Sequence, residues 1–463
     1  MAAGHSALWK MRPDGSGGHD SGVPIDNVTH AYLRAAGEPG SRLGRAVEQV
    51  ESAPSLSAWG KRFINRPLFV GEPEMRRFAD DLQRLLGLLL ELPDRLFDGD
   101  LERFGDAIGV APERSALMRR LGVVPPACGR ADVYHDGDGY RMLEFGIGSD
   151  HGGWDRSGEI PRAFLRDEAF AEFAAEHRLG YTHSATELAE TLRGVAGGEP
   201  VVALIEAPGA LAEWGGAWRP LRQVLSDCGL RCHVGELGDL SVRGGRLYMA
   251  GDRVDVVYRC FDTDQILDDP DALALAERIF KMHEAGNVVL WTPLETNLFC
   301  EKECMTLLSD HGRSGCFSAD EQALIDRVIP WTRSLNGRTD ADLLDRCRAN
   351  REQLILKPSG LFGGHGVVPG WKRTDSEWSE ALRDGAAMGA IIQRRVVPET
   401  EPVIDPMTQE SQPWHAVYGF YYTPTGFAGV HARVAPADRS AVIGLMTEAS
   451  VQFAGIFHIM DSP

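Results

Sequence analysis

The most constraining feature of the chain is an apolar triplet, Leu354-Ile355-Leu356, that ends in Lys357. Pro358-Ser359-Gly360-Leu361-Phe362-Gly363-Gly364-His365-Gly366 follows, and Val367-Val368 then resumes an apolar run. A strand that turns back directly into another strand is neither GxxxxGK[ST] nor a GxGxxG stretch opening a helix. Two readings of the segment stand. In one, Gly360, Gly363, Gly364 and Gly366 let the backbone fold closely over a nucleotide's phosphates while Lys357 supplies a point charge. In the other, it is a solvent-exposed hairpin carrying a surface lysine. Composition bears on the choice: only six of 48 basic residues are lysine, namely Lys10, Lys61, Lys281, Lys302, Lys357 and Lys372. Where arginine has replaced lysine this widely, a remaining lysine hints that a compact ammonium is required.

At 463 residues, with 43% hydrophobic and 25% charged side chains, the chain has the composition of a soluble protein of roughly two to three domains. Its net charge of -19 disfavours a nucleic-acid binder, which needs a basic face. A local nucleotide pocket is compatible with that charge. The longest apolar run, Leu85 to Leu90, is too short to cross a membrane. The segment 1–24 is rich in Gly, Ser and His without the apolar core of a signal peptide, and reads as a flexible tail of a cytoplasmic protein. Eight cysteines include Cys300 and Cys304 at helical spacing, but no paired CxxC. They read as small buried hydrophobes in a reducing compartment.

Patterning divides the remainder into four stretches. Residues 25–121 read as helical, with Phe78, Leu82, Leu85, Leu86, Leu89 and Leu90 on one face of a helix over Met75–Leu92 that Pro93 ends. A second helix over Ala111–Leu121 takes Pro112 in its first turn. This region reads as a lid or a support. Residues 122–199 open with a hairpin, Ala131–Tyr134 and Tyr140–Phe145, which runs into the glycine-rich Gly146–Gly153. Residues 200–290 alternate strands and helices, including Val201–Glu206, a helix over Trp218–Cys228 and Val254–Arg259, as in an α/β subdomain. Residues 291–463 begin with a helix over Asn297–His311 that bears Lys302, then a helical hairpin-like stretch over Ala319–Arg348. The Lys357 hairpin, a strand over Ala390–Val397 and a hairpin of Trp414–Thr423 with Gly426–Val434 complete them.

Several charged residues sit where chemistry could use them. The period of two places Arg130 and Asp132 on one face of a strand, with Glu144 on its partner. Paired carboxylates repel unless a cation lies between them, and magnesium with phosphate oxygens is the hard-cation answer. A neighbouring Arg130 would then neutralise charge at a transferring phosphoryl group. A cross-strand salt-bridge network accounts for the same residues. Gln393 in Ala390–Arg394 could read an adenine edge, and Arg433 could clamp a phosphate or carboxylate or form a surface ion pair.

Taken in order, RxD at Arg130–Asp132, LEF at Leu143–Phe145, LWTPLETNLFCEK at Leu290–Lys302, LILKPSGLFGGHGV at Leu354–Val367, IIQ at Ile391–Gln393 and GVHAR at Gly429–Arg433 resemble a known group. They look like a circularly permuted ATP-grasp enzyme of the glutathionylspermidine synthase-like group, over about Leu121 to Arg433. The resemblance implies a mixed α+β and α/β fold: an ATP-grasp core, an α/β subdomain at 200–290 and a helical N-terminal region. It implies an ADP-forming carboxylate–amine ligase that makes an amide through an acyl phosphate, using ATP and Mg2+. Arg130, Lys302 and Arg433 would be catalytic, and Asp132 and Glu144 would bind metal. Lys357, the loop glycines and Gln393 would bind nucleotide, with Asn297 a looser match beside Lys302. The partners implied are a small-molecule carboxylate and amine, with a carrier protein an alternative acceptor; no nucleic acid, membrane or particular oligomer is implied.

One departure stands out: where the group has ExN, Glu144-Phe145-Gly146 puts glycine at the second metal ligand. Asp150 or Ser149 reaching the ion, an ion held by phosphates and water, or lost activity would each account for it. A small-molecule kinase and a silent ATP-binding scaffold are the alternative functions. Arg259, Glu206 and Gly148–Trp154 are candidates for substrate contact, or else ion pairs and a structural turn.

Overall fold

The computed structural model describes residues 25–310, 315–404, 410–439, 441–444 and 449–460. The expected tail over 1–24 lies outside them. An antiparallel sheet runs in the order Gln452–Ala454, Gly426–Pro436, Ser411–Thr423, Gly129–His135, Tyr140–Glu144, with Thr400–Ile404 also paired to Ser411–Thr423. Two hairpins from distant parts of the chain thus share one sheet. The register aligns Glu144 with Asp132, Asp132 with Gly419, and Gly419 with His431. Strand alternation sends Ala131, Val133, Phe420 and Ala432 to one face, where they pack with Phe78, Leu82, Leu85 and Leu86 of the helix Glu72–Leu90. The helical N-terminal region therefore supports the back of the sheet. It also adds a strand, Leu68–Gly71, parallel to Ile456–Ile459.

Pro93 does not simply end the long helix: the helix stops at Leu90, and Pro93 sits in the first turn of a new one, Leu92–Phe97. The missing proline N–H is harmless there. The α/β unit is a parallel sheet in the order Val289–Trp291, Val256–Arg259, Val201–Glu206, Arg231–Glu236. Its helix spans Leu211–Asp227, starting well before the expected Trp218, with Gly215, Gly216 and Pro220 inside it. Arg246–Met249 joins a separate three-stranded sheet.

The Lys357 hairpin belongs to a third, antiparallel sheet in the order Thr332–Leu335, Ala390–Arg394, Leu354–Pro358, Val368–Pro369. The helical hairpin-like stretch expected over Ala319–Arg348 is two helices, Ala319–Val328 and Ala341–Ala349, but the edge strand Thr332–Leu335, which was not expected, lies between them. Pro330 disfavours helical continuation and β-branched Thr332 suits the strand. The helix expected over Asn297–His311 is likewise broken, into Thr296–Cys300 and Glu303–Ser309, with Lys302 at the N-cap of the second; His311 lies outside the described residues.

Candidate active site

The face of the central sheet opposite the hydrophobic core carries Arg130, Asp132, Gly419, Tyr421, His431 and Arg433. Asp132 is 3% exposed; Arg130 Nε donates to its Oδ1 at 2.9 Å and Arg433 Nη2 to its Oδ2 at 2.5 Å. Burial pushes its carboxyl up, but the two guanidinium groups outweigh that and hold it well below the usual carboxylate range. Arg130 is itself aimed by donating Nη1 to Gly152 O at 2.8 Å. Glu144, directly across from Asp132, has no hydrogen-bond or ion-pair partner among the described residues.

Lys357 reaches this face from the other sheet. Its buried ammonium donates to Leu143 O at 2.7 Å and to Gln393 Oε1 at 2.8 Å. Burial pulls its pKa down to about 8, aided by Lys302 and opposed by Glu144 and Asp132. Gln393 is not free to read a base: its Oε1 serves Lys357 and its Nε2 donates to Thr332 Oγ1 at 3.1 Å. It is a positioning residue for the lysine. The strand that supplies Thr332 was not foreseen, so this role was not legible beforehand.

Lys302 donates to Leu361 O at the tip of the glycine-rich loop, and its ammonium lies 4.8 Å from the Phe362 ring centroid. Gly363 and Gly364, at φ +66° and +84°, line the space beneath; Gly360 and Gly366 shape the loop without lining it. Glu303, next to Lys302, accepts from Ser334 at 3.2 Å and from Ser359 at the loop's root at 3.3 Å. Burial raises its carboxyl to about 7.

The result is a cavity of about 210 Å³ between the two sheets, onto which Asp132, Glu144, Lys302, Lys357, Gly363, Gly364, Gln393 and Arg433 all open. Arg130 stands behind Asp132. The sequence-based site residues therefore converge, although they span most of the chain. Trp371, Lys372 and Arg395 also line the cavity and were missed; the Arg395 guanidinium stacks 4.1 Å from the Trp371 ring centroid. Lysine scarcity was a signal that could have found Lys372.

Gly146 is required by close packing. A Cβ there would lie 2.5 Å from Arg130 O and 2.6 Å from His151 Nε2, so an asparagine does not fit this backbone. Neither substitute ligand faces the cavity. Asp150 pairs with Arg259 at 3.3 Å and accepts from Asn297 Nδ2 at 3.2 Å, while Ser149 Oγ lies 2.7 Å from Arg259 O. Buried Arg259 also donates to Thr292 O and Thr296 Oγ1. These residues pin the Gly146–Gly153 segment to the ends of the parallel strands. Glu206 lies at one of those ends, accepts from Trp218 Nε1 at 2.5 Å, and is raised to about 7 by burial.

Among the described residues, no three His, Cys, Asp or Glu side chains gather into an all-protein metal cage. Asp132 and Glu144 are two facing carboxylates, one with no protein partner, and such a donor set suits a hard cation completed by phosphate oxygens and water. No cysteine forms a disulfide among the described residues, and no helix there is long and apolar enough to cross a membrane.

No family model matches the chain, and no curated protein matches it by sequence. Among solved structures, it is similar to a glutathione synthetase-like effector from Globodera pallida in its apo form. That likeness has a TM-score of 0.55 and 14% identity, covering 86% of this chain and 90% of that one. A putative gamma-glutamylcysteine synthetase from Methylobacillus flagellatus aligns with a TM-score of 0.44 and 13% identity, covering 80% of this chain and 88% of that one. A D-cycloserine synthetase gives 0.29 and 14%, over 57% and 92%. The first likeness, spanning nearly both chains, establishes that this protein shares the overall fold of the glutathione synthetase-like effector.

Proposed function

We propose that the protein is an ATP-dependent carboxylate–amine ligase of the circularly permuted ATP-grasp kind. The carrying observation is the convergence of Asp132 and Glu144 with Lys357 and the glycine-rich loop in one cavity. The order of segments supports the permuted reading: the Asp132 hairpin precedes the parallel α/β unit, while the strands it pairs with follow it. The fold shared with a glutathione synthetase-like protein agrees with it.

A free carboxylate is a poor electrophile because oxide is a bad leaving group. In the proposed reaction a carboxylate oxygen attacks the terminal phosphorus of ATP, the bond to the bridging oxygen of ADP breaks, and an acyl phosphate forms. An amine nitrogen then attacks the acyl carbon, the carbon–oxygen bond to phosphate breaks, and the nitrogen loses a proton as the amide forms. Asp132 and Glu144 would hold magnesium, which supplies positive charge to the phosphate oxygens when bound. Lys357 and Lys302 add fixed positive charge, while Arg130 and Arg433 keep Asp132 ionised and aligned. The glycine-rich loop, drawn down by Lys302, excludes water that would hydrolyse the intermediate.

The test is a screen of carboxylates and amines for ADP formation, with hydroxylamine added to trap an acyl phosphate as a hydroxamate. ADP that appears only with a particular acid, together with its hydroxamate, is expected. A stable phosphorylated product would point to a kinase instead, and ADP release independent of any acid would overturn the ligase reading.

A further inference from the structure

A second cavity, of about 730 Å³, shares no lining residue with the cavity between the two sheets. Its walls are the helices Trp154–Phe164 and Leu211–Asp227, and the short helix Pro54–Trp59 packs against both. The N-terminal region, the segment after the Asp132 hairpin and the α/β unit therefore meet there. Arg162, Arg166 and Arg219 bring three guanidinium groups to it, against the two carboxylates Glu159 and Asp227. Both carboxylates are already engaged. Buried Glu159 accepts from Ser55 Oγ at 2.5 Å and from His183 Nε2 at 3.0 Å, and pairs with Arg162 at 3.1 Å. Asp227 accepts from Gln223 Nε2 at 2.9 Å. Arg166 and Arg219 are exposed, and their side chains have no hydrogen-bond or ion-pair partner among the described residues. In a chain of net charge -19, that is a local concentration of unpaired positive charge.

One wall is shaped for close approach. Glycine and proline are the residues that a helix interior disfavours most, yet Gly215, Gly216 and Pro220 all lie inside Leu211–Asp227 and line the cavity. Packing does not require Gly216, since a Cβ there would meet nothing within 4 Å. Gly215 lets Arg219, one turn on, fold back along the helix: a Cβ at 215 would lie 2.7 Å from its Cζ. The pair of glycines leaves bare backbone with a guanidinium laid against it, in a space the size of a small-molecule site.

We infer that this cavity binds a small polyanion, a metabolite carrying two or more carboxylate or phosphate groups, clamped by Arg166 and Arg219 over the floor formed by Gly215 and Gly216. A guanidinium edge matches either kind of oxyanion, and two separate guanidinium groups ask for two anionic groups on one molecule. The site is distinct from the proposed reaction cavity and does not depend on the ligase reading.

Two probes, propane-1,2,3-tricarboxylate and inorganic pyrophosphate, are titrated calorimetrically into the full chain without magnesium or nucleotide, at about 0.15 M salt to screen diffuse attraction. Saturable one-to-one binding of at least one probe is expected, and the tighter of the two tells carboxylate from phosphate as the group the site takes. Arg166→Gln and Arg219→Gln should each weaken binding about fivefold, and together about twentyfold. Neither side chain has a partner to lose, so these variants should unfold at the wild-type temperature. Gly216→Leu fills open space and improves the helix, so it should keep or raise the unfolding temperature while weakening binding about tenfold. The site is overturned if wild type binds neither probe, or if either the double variant or Gly216→Leu binds as wild type does. It is also overturned if binding survives in the double variant but disappears in Lys357→Met, which would place the probe in the cavity between the sheets.

Discussion

The Lys357 ammonium lies 2.8 Å from Gln393 Oε1, and the other end of that carboxamide is fixed 3.1 Å from Thr332 Oγ1. Three neighbouring strands thus set the position of a single buried charge. Gln393→Leu removes the acceptor and leaves the lysine under-satisfied, at a cost of about 1–3 kcal/mol. Denaturant unfolding should show that loss, and AMP-PNP affinity should fall about tenfold; unchanged affinity would mean that Gln393 does not position the lysine.

The lowered pKa of Lys357, about 8 against 10.5 in the unfolded chain, gives a signed pH dependence. Between those values the unfolded state binds more protons, so this residue's contribution to stability rises with pH across the window. It is fully present above pH 10.5 and lost as pH falls through about 8. In the proposed site nucleotide binding would run the other way, because the ammonium is what would attract phosphate. AMP-PNP affinity should decline as pH rises above 8, and Lys357→Arg, which stays charged, should flatten the decline. A flat wild-type profile from pH 7 to 10 would contradict this.

Asp132 and Glu144 face each other but should respond differently to neutralisation. Asp132→Asn leaves two partly buried arginines without their counter-charge and should cost about 3 kcal/mol. Glu144→Gln breaks no hydrogen bond or ion pair and loses only its attraction for the Lys357 ammonium, so its stability should fall by no more than about 1 kcal/mol. Its effect should instead appear as at least a tenfold higher magnesium requirement for nucleotide binding, measured by titrating magnesium at fixed ATP.

Gly146→Asn restores the side chain that the resemblance calls for, yet this backbone has no room for it. Overpacking against Arg130 O should destabilise the protein by about 1–3 kcal/mol. Thermal unfolding and ATP turnover should both decline. A gain in turnover would show that the site is a damaged version of the related one.

Lys302 holds the glycine-rich loop down through Leu361 O. Lys302→Met should release it, seen as faster amide hydrogen exchange across residues 359–367 with little change elsewhere. Equal exchange in the variant and wild type would assign the loop's position to other contacts.

Much of the site was legible in the sequence because its signals are local. Two-residue alternation put Arg130 and Asp132 on one face, and the glycines after Lys357 marked a loop between strands. The motif order then grouped Lys302, Gln393 and Arg433 with them. Helix breaks were less legible: Lys302 sits at a junction that periodicity reads through, and Thr332–Leu335 hides among helix formers because its pairing partner, Ala390–Arg394, is remote. The sequence by itself determined residue types, strand faces and turn positions, all set by interactions a few residues apart. Only the tertiary structure decided that Arg433 grips Asp132 across 301 positions, that Lys357 meets Leu143 across 214, and that Gln393 serves a lysine. Those contacts depend on which strands pair and which buried groups must share partners, and no local pattern specifies either.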